Sequence, residues 1–442
     1  MTGTTRSLLA GMLLSACVVV AVAARPDAAA AADNESPARM LGAPSADQLT
    51  LTEALAITLA NNPELAAAHA AVAASGASAR QAGSFVNPEL SLEVENFAGS
   101  DELSGFDGAE TTLRLDQTIE LGGKRAQRRA SGSAAQAVAV QQQQLTRADL
   151  YARTVEAFMG LLAAQERWHL AETRLQLATK TLASIEAQIE AGKSPTIAGI
   201  RSRPLLIEAR LELDRAAGEL NVARQALAAL LGVADAATLV AQGDLAALPE
   251  VPEPGTVESS IPSAPQLALA SAARDQAAQV LAGEKLRAVP DVTVGLGVRR
   301  FEEGGEHALV AGLSVPLPLF DRNRHGIAAA AARLEQARSA ERNAQLSTRA
   351  ALAQAVQELR ARRDEARALQ DELLPAAQQS FEAVDHGYRA GKFGLLDLLD
   401  AQRQLSEVQS RLLSAQVDCH VAAARLDGLL GRLPLAATGA TP

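Results

Sequence analysis

Apolar and polar residues alternate with a period of two in four segments of the chain. The first two, at 90–95 and 113–116, place leucine and valine between serine, glutamate, arginine and aspartate. The other two, at 292–298 and 309–315, alternate in the same way, with glycine and threonine at several intervening positions. A period of two with turn residues between the segments is typical of β-hairpins with one apolar and one polar face. The pattern therefore predicts two widely separated hairpins.

Long alanine-rich segments follow each hairpin and predict unusually long helices. We expect these helices at about 126–190 and 327–389, each roughly 95 Å long at 1.5 Å per residue. Both end in Ala-Gly-Lys, where glycine can close a helix in the left-handed conformation. Shorter helices are predicted before each hairpin, the first with Thr52 as its N-cap, and after each long helix, at 52–82, 265–288, 196–231 and 395–430. In the first repeat the two short helices together nearly match the long one, so they would lie beside it end to end.

The same landmarks occur twice in one order, which indicates an internal duplication. NNPEL around Pro63 returns as SAPQL around Pro265, and Ala-Gly-Lys at 191–193 returns at 390–392. Self-similarity at a fixed spacing is the signature of a repeated structural unit. The expected organisation is a first repeat at 45–232, a Pro-rich linker at 233–260, a second repeat at 261–432 and a C-terminal tail at 433–442.

Composition favours long, closely packed helices over one deep globular core. The 442-residue chain is 48% hydrophobic, but only 2% of its residues are aromatic, and much of the apolar fraction is alanine. Few large side chains are therefore available to fill a core. Alanine allows neighbouring helices to approach closely, and a helix near 95 Å long does not fit inside a compact domain.

The N-terminus has the features of an export signal. Arg6 precedes an apolar run at 8–24 that is followed by small residues, and the predicted signal peptide spans 1–32. Cleavage after Ala23 and cleavage within the following alanine run are both compatible with the pattern. The tetrapeptide Leu-Ser-Ala-Cys that ends at Cys17 also resembles a lipobox, and in that case Cys17 is acylated. The strongly apolar residues after it are a poor start for a mature lipoprotein.

Several classes of function find no support in the sequence. No nucleophile, base and orienting group form a recognisable motif, so we expect no enzyme, no catalytic residue and no cofactor. The six histidines are scattered, and their spacing predicts no metal site. Apart from Cys17 the chain has only Cys419, so no intrachain disulfide is expected in the mature protein. The formal charge of −10 gives no reason to expect nucleic acid as a partner.

The predicted hairpins need partners outside their own chain. Two isolated hairpins leave strand edges open, and an exposed apolar sheet face is unstable in water. No segment after the signal reaches the roughly 20 apolar residues of a membrane helix, so any membrane-inserted part has to consist of strands. Four strands per protomer become a twelve-stranded outer-membrane β-barrel in a homotrimer. The same trimer would collect the long helices into a hollow cylinder, and such a layout is that of a conduit.

Two motifs carry a resemblance to a known family. The order of signal, helix, hairpin, long helix, Ala-Gly-Lys turn and return helix, repeated twice, resembles the TolC family of trimeric outer-membrane efflux proteins. YRAGKFGLLDLLDAQRQL, at 388–405, is similar to the second periplasmic hairpin of that family. QTIELGGKR, at 117–125, is most similar to the branch that works with heavy-metal pumps of the cobalt-zinc-cadmium type, in the resistance-nodulation-division class. The implied fold is mainly α with a small β part, namely a trimeric α-barrel joined to a twelve-stranded β-barrel.

The resemblance implies transport without chemistry, by a protein of the outer membrane that extends into the periplasm. The implied partners are two further copies of the chain, a periplasmic adaptor (membrane fusion) protein, an inner-membrane resistance-nodulation-division pump and outer-membrane lipid. Heavy-metal cations are the expected cargo, and a type I secretion outlet or a drug-efflux outlet of the same fold is the alternative. A structural coiled-coil surface protein is the rival from another class, although it gives no reason for duplicated hairpins.

The resemblance also implies a gate at the inner end of the tunnel. Tyr388, Asp397 and Asp400 match family residues there, and in three copies the carboxylates would form rings that favour cations. Ala198 departs from the acidic residue of many members, and Phe393 stands where some members have arginine. The plainer alternative for Asp397 and Asp400 is that first-turn carboxylates complement the helix dipole.

The two Ala-Gly-Lys turns are the implied docking surface for the adaptor. The residues expected at these tips are Gly192, Lys193, Gly391 and Lys392. The alternative is that both lysines are ordinary charges at helix C-termini.

IELGGKRAQRR, at 119–129, connects the first hairpin to its long helix. It is no P-loop, because Arg125 stands at the hydroxyl position of that pattern and no earlier glycine is in register. Gly122 and Gly123 are instead expected to form a barrel-to-tunnel hinge. The basic residues around them would lie near acidic lipid headgroups or neighbouring protomers, namely Lys124, Arg125, Arg128 and Arg129. The candidates for membrane-interface aromatics are few, namely Phe97, Phe106 and Phe301.

Overall fold

The computed structural model describes residues 49–98, 106–192 and 195–432. The predicted signal peptide with Cys17, the tip residue Lys193 and the tail at 433–442 lie outside the described residues. The strands are β1 (Leu49–Thr50), β2 (Glu89–Glu95), β3 (Glu110–Ile119), β4 (Ala241–Gln242), β5 (Val292–Phe301) and β6 (His307–Ser314). The α-helices are α1 (Leu51–Asn61), α2 (Pro63–Ala82), α3 (Lys124–Glu190), α4 (Thr196–Leu231), α5 (Pro254–Ser260), α6 (Pro265–Leu286), α7 (Arg324–Arg367), α8 (Leu374–Arg389) and α9 (Leu395–Leu430).

Two long helical rods dominate the chain. The first rod, α3, has 67 residues and is about 100 Å long at 1.5 Å per residue. In the second rod, a π-helical turn at Ala368–Leu373 joins α7 to α8 just before Pro375. Proline has no N–H to donate and its ring collides with the carbonyl four residues earlier, so a wider turn accommodates it. The rods agree with the predicted bounds to within three residues, whereas the π turn was not predicted.

The first short helix differs from the prediction at its start and in its middle. Thr50, and not Thr52, is the N-cap: its hydroxyl accepts from the Glu53 N–H at 3.3 Å, and the Glu53 carboxylate accepts from the Thr50 N–H at 2.9 Å. The helix is then interrupted at Asn62, which separates α1 from α2. Asn62 precedes Pro63, and the proline ring disfavours the helical conformation in the residue before it.

The short helices pack along the rods. Helices α1, α2 and α4 all contact α3, and α1 also contacts α4, so the short helices meet beside the rod. Small residues allow close approach: a Cβ atom on Gly132 of α3 would lie 2.7 Å from the Cα atom of Ala79 in α2. In the second repeat α6 and α9 pack on α7, and both also contact α3. None of the described helices is both long enough and apolar enough to cross a bilayer.

The main hydrophobic core lies where α1, α3 and α4 meet the linker. Phe158 and Leu227 are almost completely buried there, and the linker residue Leu245 is buried with them. The linker backbone is also held, because the Gln165 carboxamide accepts from the Ala241 N–H at 2.8 Å and donates to the Ala241 carbonyl at 3.0 Å. The linker is therefore packed against the rods.

The four longer strands form one antiparallel sheet in the order β2–β3–β5–β6. Strands β3 and β5 belong to different hairpins, yet they pair over their whole length, from Glu110 opposite Phe301 to Ile119 opposite Val292. The sequence predicted two isolated hairpins, whereas in the structure the two hairpins form one sheet. Within this sheet the outer edges of β2 and β6 have no partner strand in the described chain.

Candidate functional site

The turn between α8 and α9 closes the second rod with a defined hydrogen-bond pattern. Gly391 has a φ of 72°, its N–H donates to the Tyr388 carbonyl at 2.9 Å, and the Lys392 N–H donates to the Gly387 carbonyl at 2.8 Å. These two bonds are those of a Schellman motif, which needs a left-handed residue at this position. Gly192 has the matching φ of 68° in the first tip. The Ala-Gly-Lys sequences thus end both rods through a left-handed glycine.

Phe393 lies directly on the second tip turn. A Cβ atom on Gly387 would lie 2.6 Å from Cε2 of the Phe393 ring, so the ring occupies the space that the glycine leaves open. The Phe393 N–H also approaches the Gly387 carbonyl, at 3.4 Å. Gly387 was not predicted as a tip residue, although its position four residues before Gly391 was a signal for it. This contact sets the path of the chain between the two helices.

The predicted gate residues lie at the two sides of this turn. Asp397 accepts a hydrogen bond from the Gly394 N–H at 2.9 Å and therefore caps α9. Asp400 accepts from Arg403 and from Gln404, both at 2.9 Å. Tyr388 is half-buried in α8, and its phenol makes no hydrogen bond to the part of the chain that the structure describes. In one chain, Asp397 thus has the capping position that the plainer alternative expects.

Arg174 connects three helices, α3, α4 and α9, beside the groove that Asp400 lines. From α3, its guanidinium forms an ion pair with Glu212 of α4 and donates to the Ser406 carbonyl of α9 at 2.9 Å. We call Arg174, Glu212 and Ser406 the Arg174 cluster. A groove runs past this cluster, and Asp400 lies on its wall. No local pattern could have revealed the cluster, because its members come from three separate helices.

The joint between sheet and rod uses left-handed backbone in both repeats. Gly122 and Gly123 have φ values of 69° and 78°, immediately before α3. In the second repeat Asn323 has a φ of 54° immediately before α7. Asparagine is among the few non-glycine residues that adopt this conformation readily. Its amide donates to the carbonyl of Glu284 at 2.8 Å and to the carboxylate at 2.6 Å, and this hydrogen bond lowers the pKa of Glu284.

Three of the four basic residues at the first joint, Lys124, Arg125 and Arg128, make contacts within the chain. Lys124 forms an ion pair with Asp291 at 2.7 Å, and the same carboxylate accepts from the Leu121 N–H at 3.1 Å. Arg125 lies 3.6 Å from the centre of the Phe85 ring. The guanidinium groups of Arg125 and Arg128 donate to backbone carbonyls at the end of α2 and just after it, namely those of Ala82, Gly83 and Ser84. These contacts fix the joint, and the predicted nearness of the basic residues to lipid headgroups or neighbouring protomers stays a prediction.

The sheet has one apolar and one polar face. Aligned side chains on one face are exposed and apolar, namely Leu90, Leu92, Val94, Leu113, Leu115, Val294, Leu296, Val298, Leu309 and Leu313. The register places Phe301 on the opposite, polar face, beside Glu110. It therefore does not belong to an aromatic belt on the apolar face. Phe85 and Phe320 lie at the rod end of the sheet and have more exposed side chains than Phe301, but they were not predicted as membrane-interface aromatics.

Two ionisable groups, the buried Tyr151 and the half-buried Asp427, lie deeper in the helical bundle. Burial raises the pKa of Asp427 on α9. Burial, and then the nearby Asp427 charge, raises the pKa of Tyr151 on α3 to about 12. Among the described residues no group of three or more His, Cys, Asp or Glu side chains is arranged to hold a metal ion.

The chain matches one family model over most of its length. The model of the outer membrane efflux protein family matches residues 54–233 and 257–432. The chain is 34% identical over 388 residues to the cobalt-zinc-cadmium resistance protein CzcC of Cupriavidus metallidurans, which covers 88% of this chain and 91% of that protein. It is 30% identical over 304 residues to the nickel-cobalt-cadmium resistance protein NccC of Alcaligenes xylosoxydans xylosoxydans, with 69% of each covered.

The fold is that of solved outer-membrane channels. Superposition on the CmeC outer membrane channel of Campylobacter jejuni gives a TM-score of 0.74 at 15% identity, over 86% of this chain and 85% of that one. The predicted fold class, a TolC-like chain that is mainly α with a small β part, is confirmed. The predicted role as an outer-membrane efflux component and the predicted location are confirmed as well. The chain belongs to the outer membrane efflux protein family.

Proposed function

We propose that three copies of this chain form an outer-membrane channel that passes heavy-metal cations from the periplasm to the exterior. The observation that carries the proposal is the single four-stranded sheet, with a continuous apolar face, joined directly to rods about 100 Å long. Such a sheet suits lipid on one side and water on the other. The rods are long enough to reach far into the periplasm. The chain is assigned no chemical step, in keeping with its family.

The unpaired edges of β2 and β6 support closure by further copies. Unpaired strand edges are not tolerated within a bilayer, because their N–H and C=O groups find no water there. If β2 of one copy pairs with β6 of the next, three copies give twelve strands, an even number that suits an outer-membrane barrel. Helix α4 also has a row of exposed apolar side chains that would contact the neighbouring copy in the helical part of the assembly, namely Ile197, Ile200, Ile207 and Leu211.

The remaining residue roles follow from this assembly and belong to the proposal. The two duplicated units would be 45–232 and 261–432, with the linker at 233–260 strapped around their middle. Tyr388, Asp397 and Asp400 would lie at the gate. Gly122 and Gly123 would form the hinge between barrel and tunnel. The tips would contact the periplasmic adaptor, which links the channel to an inner-membrane resistance-nodulation-division pump, through Gly192, Lys193, Gly391 and Lys392.

Heavy-metal cations are proposed as cargo on two grounds. CzcC and NccC are both named for resistance to divalent metals, and together they cover most of the chain. The polar face of the sheet is acidic, with five carboxylates and two guanidinium groups among its aligned positions. A negatively charged conduit raises the local concentration of cations.

The assembly is tested on the purified protein in detergent. Its mass by light scattering, corrected for detergent, is expected to equal three chains, and planar lipid bilayers are expected to show discrete conducting pores. A monomer that stays in solution without detergent and forms no pores would contradict the channel.

The cargo is tested in a host that lacks its own metal-efflux outlet. Co-expression with an adaptor and pump of the cobalt-zinc-cadmium type is expected to raise the tolerated concentrations of Zn²⁺, Co²⁺ and Cd²⁺. The control is the same chain without the pump, which is expected to give no protection. Protection against dyes or antibiotics through a drug pump, with none against metals, would favour the drug-efflux alternative.

A further inference from the structure

The polar face of the sheet contains an arginine that lies flat along three strands. Arg114 starts on β3, opposite Gly297 of β5, and its guanidinium extends to Gly312 of β6. A Cβ atom on Gly312 would be only 3.1 Å from Nη2 and 3.2 Å from Cζ of Arg114. On Gly295, it would overlap with Arg114 Nε. We call Gly295, Gly297 and Gly312 the glycine trough, because the missing side chains leave the space that Arg114 fills.

Asp116 fixes the arginine in this trough. Arg114 Nε donates to Asp116 Oδ1 at 2.8 Å, and Nη2 of the same guanidinium pairs with that oxygen at 2.5 Å. The Asp116 side chain is 16% exposed and that of Arg114 is 34% exposed, so the carboxylate is the better shielded of the two. An arginine next to ordinary β-strand residues would have side chains beneath it and would stand away from the sheet. Here the glycines let it lie along the wall.

The other charges on the polar face show what this position changes. The aligned positions of this face carry two arginines, Arg114 and Arg299, and five carboxylates, which gives a net charge of −3 per chain. The carboxylates are those of Glu89, Glu93, Glu95, Glu110 and Asp116. Arg299 is also held at the wall, by Glu95 at 3.0 Å and Glu110 at 2.7 Å. In the described chain Glu89 and Glu93 pair with no cation and are exposed. The groups that extend from this face are therefore carboxylates.

We propose that the glycine trough makes the channel lumen cation-selective by holding Arg114 flat against the wall and paired with Asp116. This inference rests on the proposed function, in which the polar face lines the lumen. Three copies of an extended Arg114 would form a ring of positive charge, and such rings favour anions. With the side chain lying in the trough, passing cations meet Glu89 and Glu93 instead. The trough is thus a specificity determinant of this chain.

The test is the reversal potential of the purified channel in planar bilayers under a KCl gradient, which gives the permeability ratio of K⁺ to Cl⁻. The wild-type channel is expected to favour K⁺. Gly295→Ala adds one methyl group where Arg114 and Asp116 lie, and it is expected to lower the ratio by about twofold or more in 0.1 M salt, where charges act over roughly 10 Å. Gly312→Val is expected to shift the ratio in the same direction.

Three further variants separate the effect of charge from the effect of side-chain size. Ala311→Val adds two methyl groups to the neighbouring residue on the apolar face and is expected to leave the ratio unchanged. In the double variant Gly295→Ala with Arg114→Gln, the displaced side chain has no charge, so the ratio is expected to return to the wild-type value or above it. Arg114→Gln alone is expected to raise the ratio, because it removes a positive charge and leaves the Asp116 carboxylate without its partner.

The outcomes distinguish this inference from the proposed function. A wild-type protein that forms no pores contradicts the proposed function itself. Cation-selective wild-type pores with unchanged ratios in both glycine variants overturn the role of the trough alone. A ratio that stays low in the double variant also overturns it, because the effect would then be steric. If Gly295→Ala does not assemble, Gly312→Val and Arg114→Gln still decide, since each has its own expected direction.

Discussion

The Arg174 cluster joins α9 to α3 and α4, and in the proposed channel α9 would move away from these two helices when the inner end opens. From α3, the Arg174 guanidinium pairs with Glu212 of α4 and donates to the Ser406 carbonyl of α9 at 2.9 Å. The substitution Arg174→Met keeps an unbranched apolar stem and removes these hydrogen bonds. We predict that it weakens the attachment of α9 to α3 and α4 and raises the open probability of the channel.

The magnitude follows from the two contacts. The hydrogen bond from the charged guanidinium to the Ser406 carbonyl contributes about 1.5 kcal/mol. Glu212 keeps 43% of its side-chain surface exposed, so its ion pair with Arg174 contributes only about 0.5 kcal/mol after solvent screening. The total of about 2 kcal/mol per chain corresponds to roughly a 30-fold shift in a two-state equilibrium.

Single-channel recording measures the open probability, and thermal dissociation of the detergent-solubilised assembly measures its stability. The matched control is Arg203→Met. Arg203 pairs with Glu186 between α4 and α3, but at 4.0 Å and with 71% of its side chain exposed, so neither quantity is expected to change. An open probability of Arg174→Met equal to that of Arg203→Met would refute the inference that this cluster separates on opening.

Three further predictions concern stability, each measured by thermal or denaturant unfolding. Gly391→Ala is expected to lower the free energy of unfolding by about 1–2 kcal/mol, because alanine is strained at the left-handed φ of 72°. The control is Gly160→Ala, inside α3 with open space around it, which is expected to raise the free energy of unfolding. Equal effects of the two substitutions would refute the argument. Asp427→Asn is expected to stabilise the protein at pH 7, because burial raises the pKa of the Asp427 carboxyl. Wild-type stability therefore falls as the pH rises above 3.8 and through the folded-state pKa. The variant is expected to lack this component of the pH dependence. Burial lowers the pKa of His420, so the stability of the wild type is expected to fall as the pH drops below 6.5 toward the folded-state pKa. A His420→Gln variant whose stability depends on pH in the same way as that of the wild type would contradict this prediction.

Local pattern was sufficient for most of the elements. The alternation at 90–95 and 292–298 predicted strands, and the alanine-rich segments predicted both rods, because the periods of two and 3.6 are properties of the strand and the helix themselves. Glycine before lysine predicted both tip turns, since the left-handed conformation is a local requirement. The resemblance of 388–405 to one family then led to the fold class and the location.

Other features depended on partners far apart in the chain. The pairing of β3 with β5 merges two hairpins that each looked complete, and their alternation is the same whether they pair or not. Asn323 takes the left-handed role that glycine has in the first repeat, and its side chain finds Glu284 on another helix. The residues at 321–324 contain no glycine that would mark this joint, and the role of Asn323 depends on the tertiary contact.

The sequence by itself determined most of the helices, the four longer strands and the tip turns, because each of these follows from interactions within one or two turns of chain. Only the tertiary structure decided which charges are used. Lys124 meets Asp291 across 167 residues, and Arg174 meets Ser406 across 232. Arg114 lies flat because glycines on two other strands leave room for it. Such contacts depend on how the sheet and the rods align, and alignment is a property of the whole packed chain.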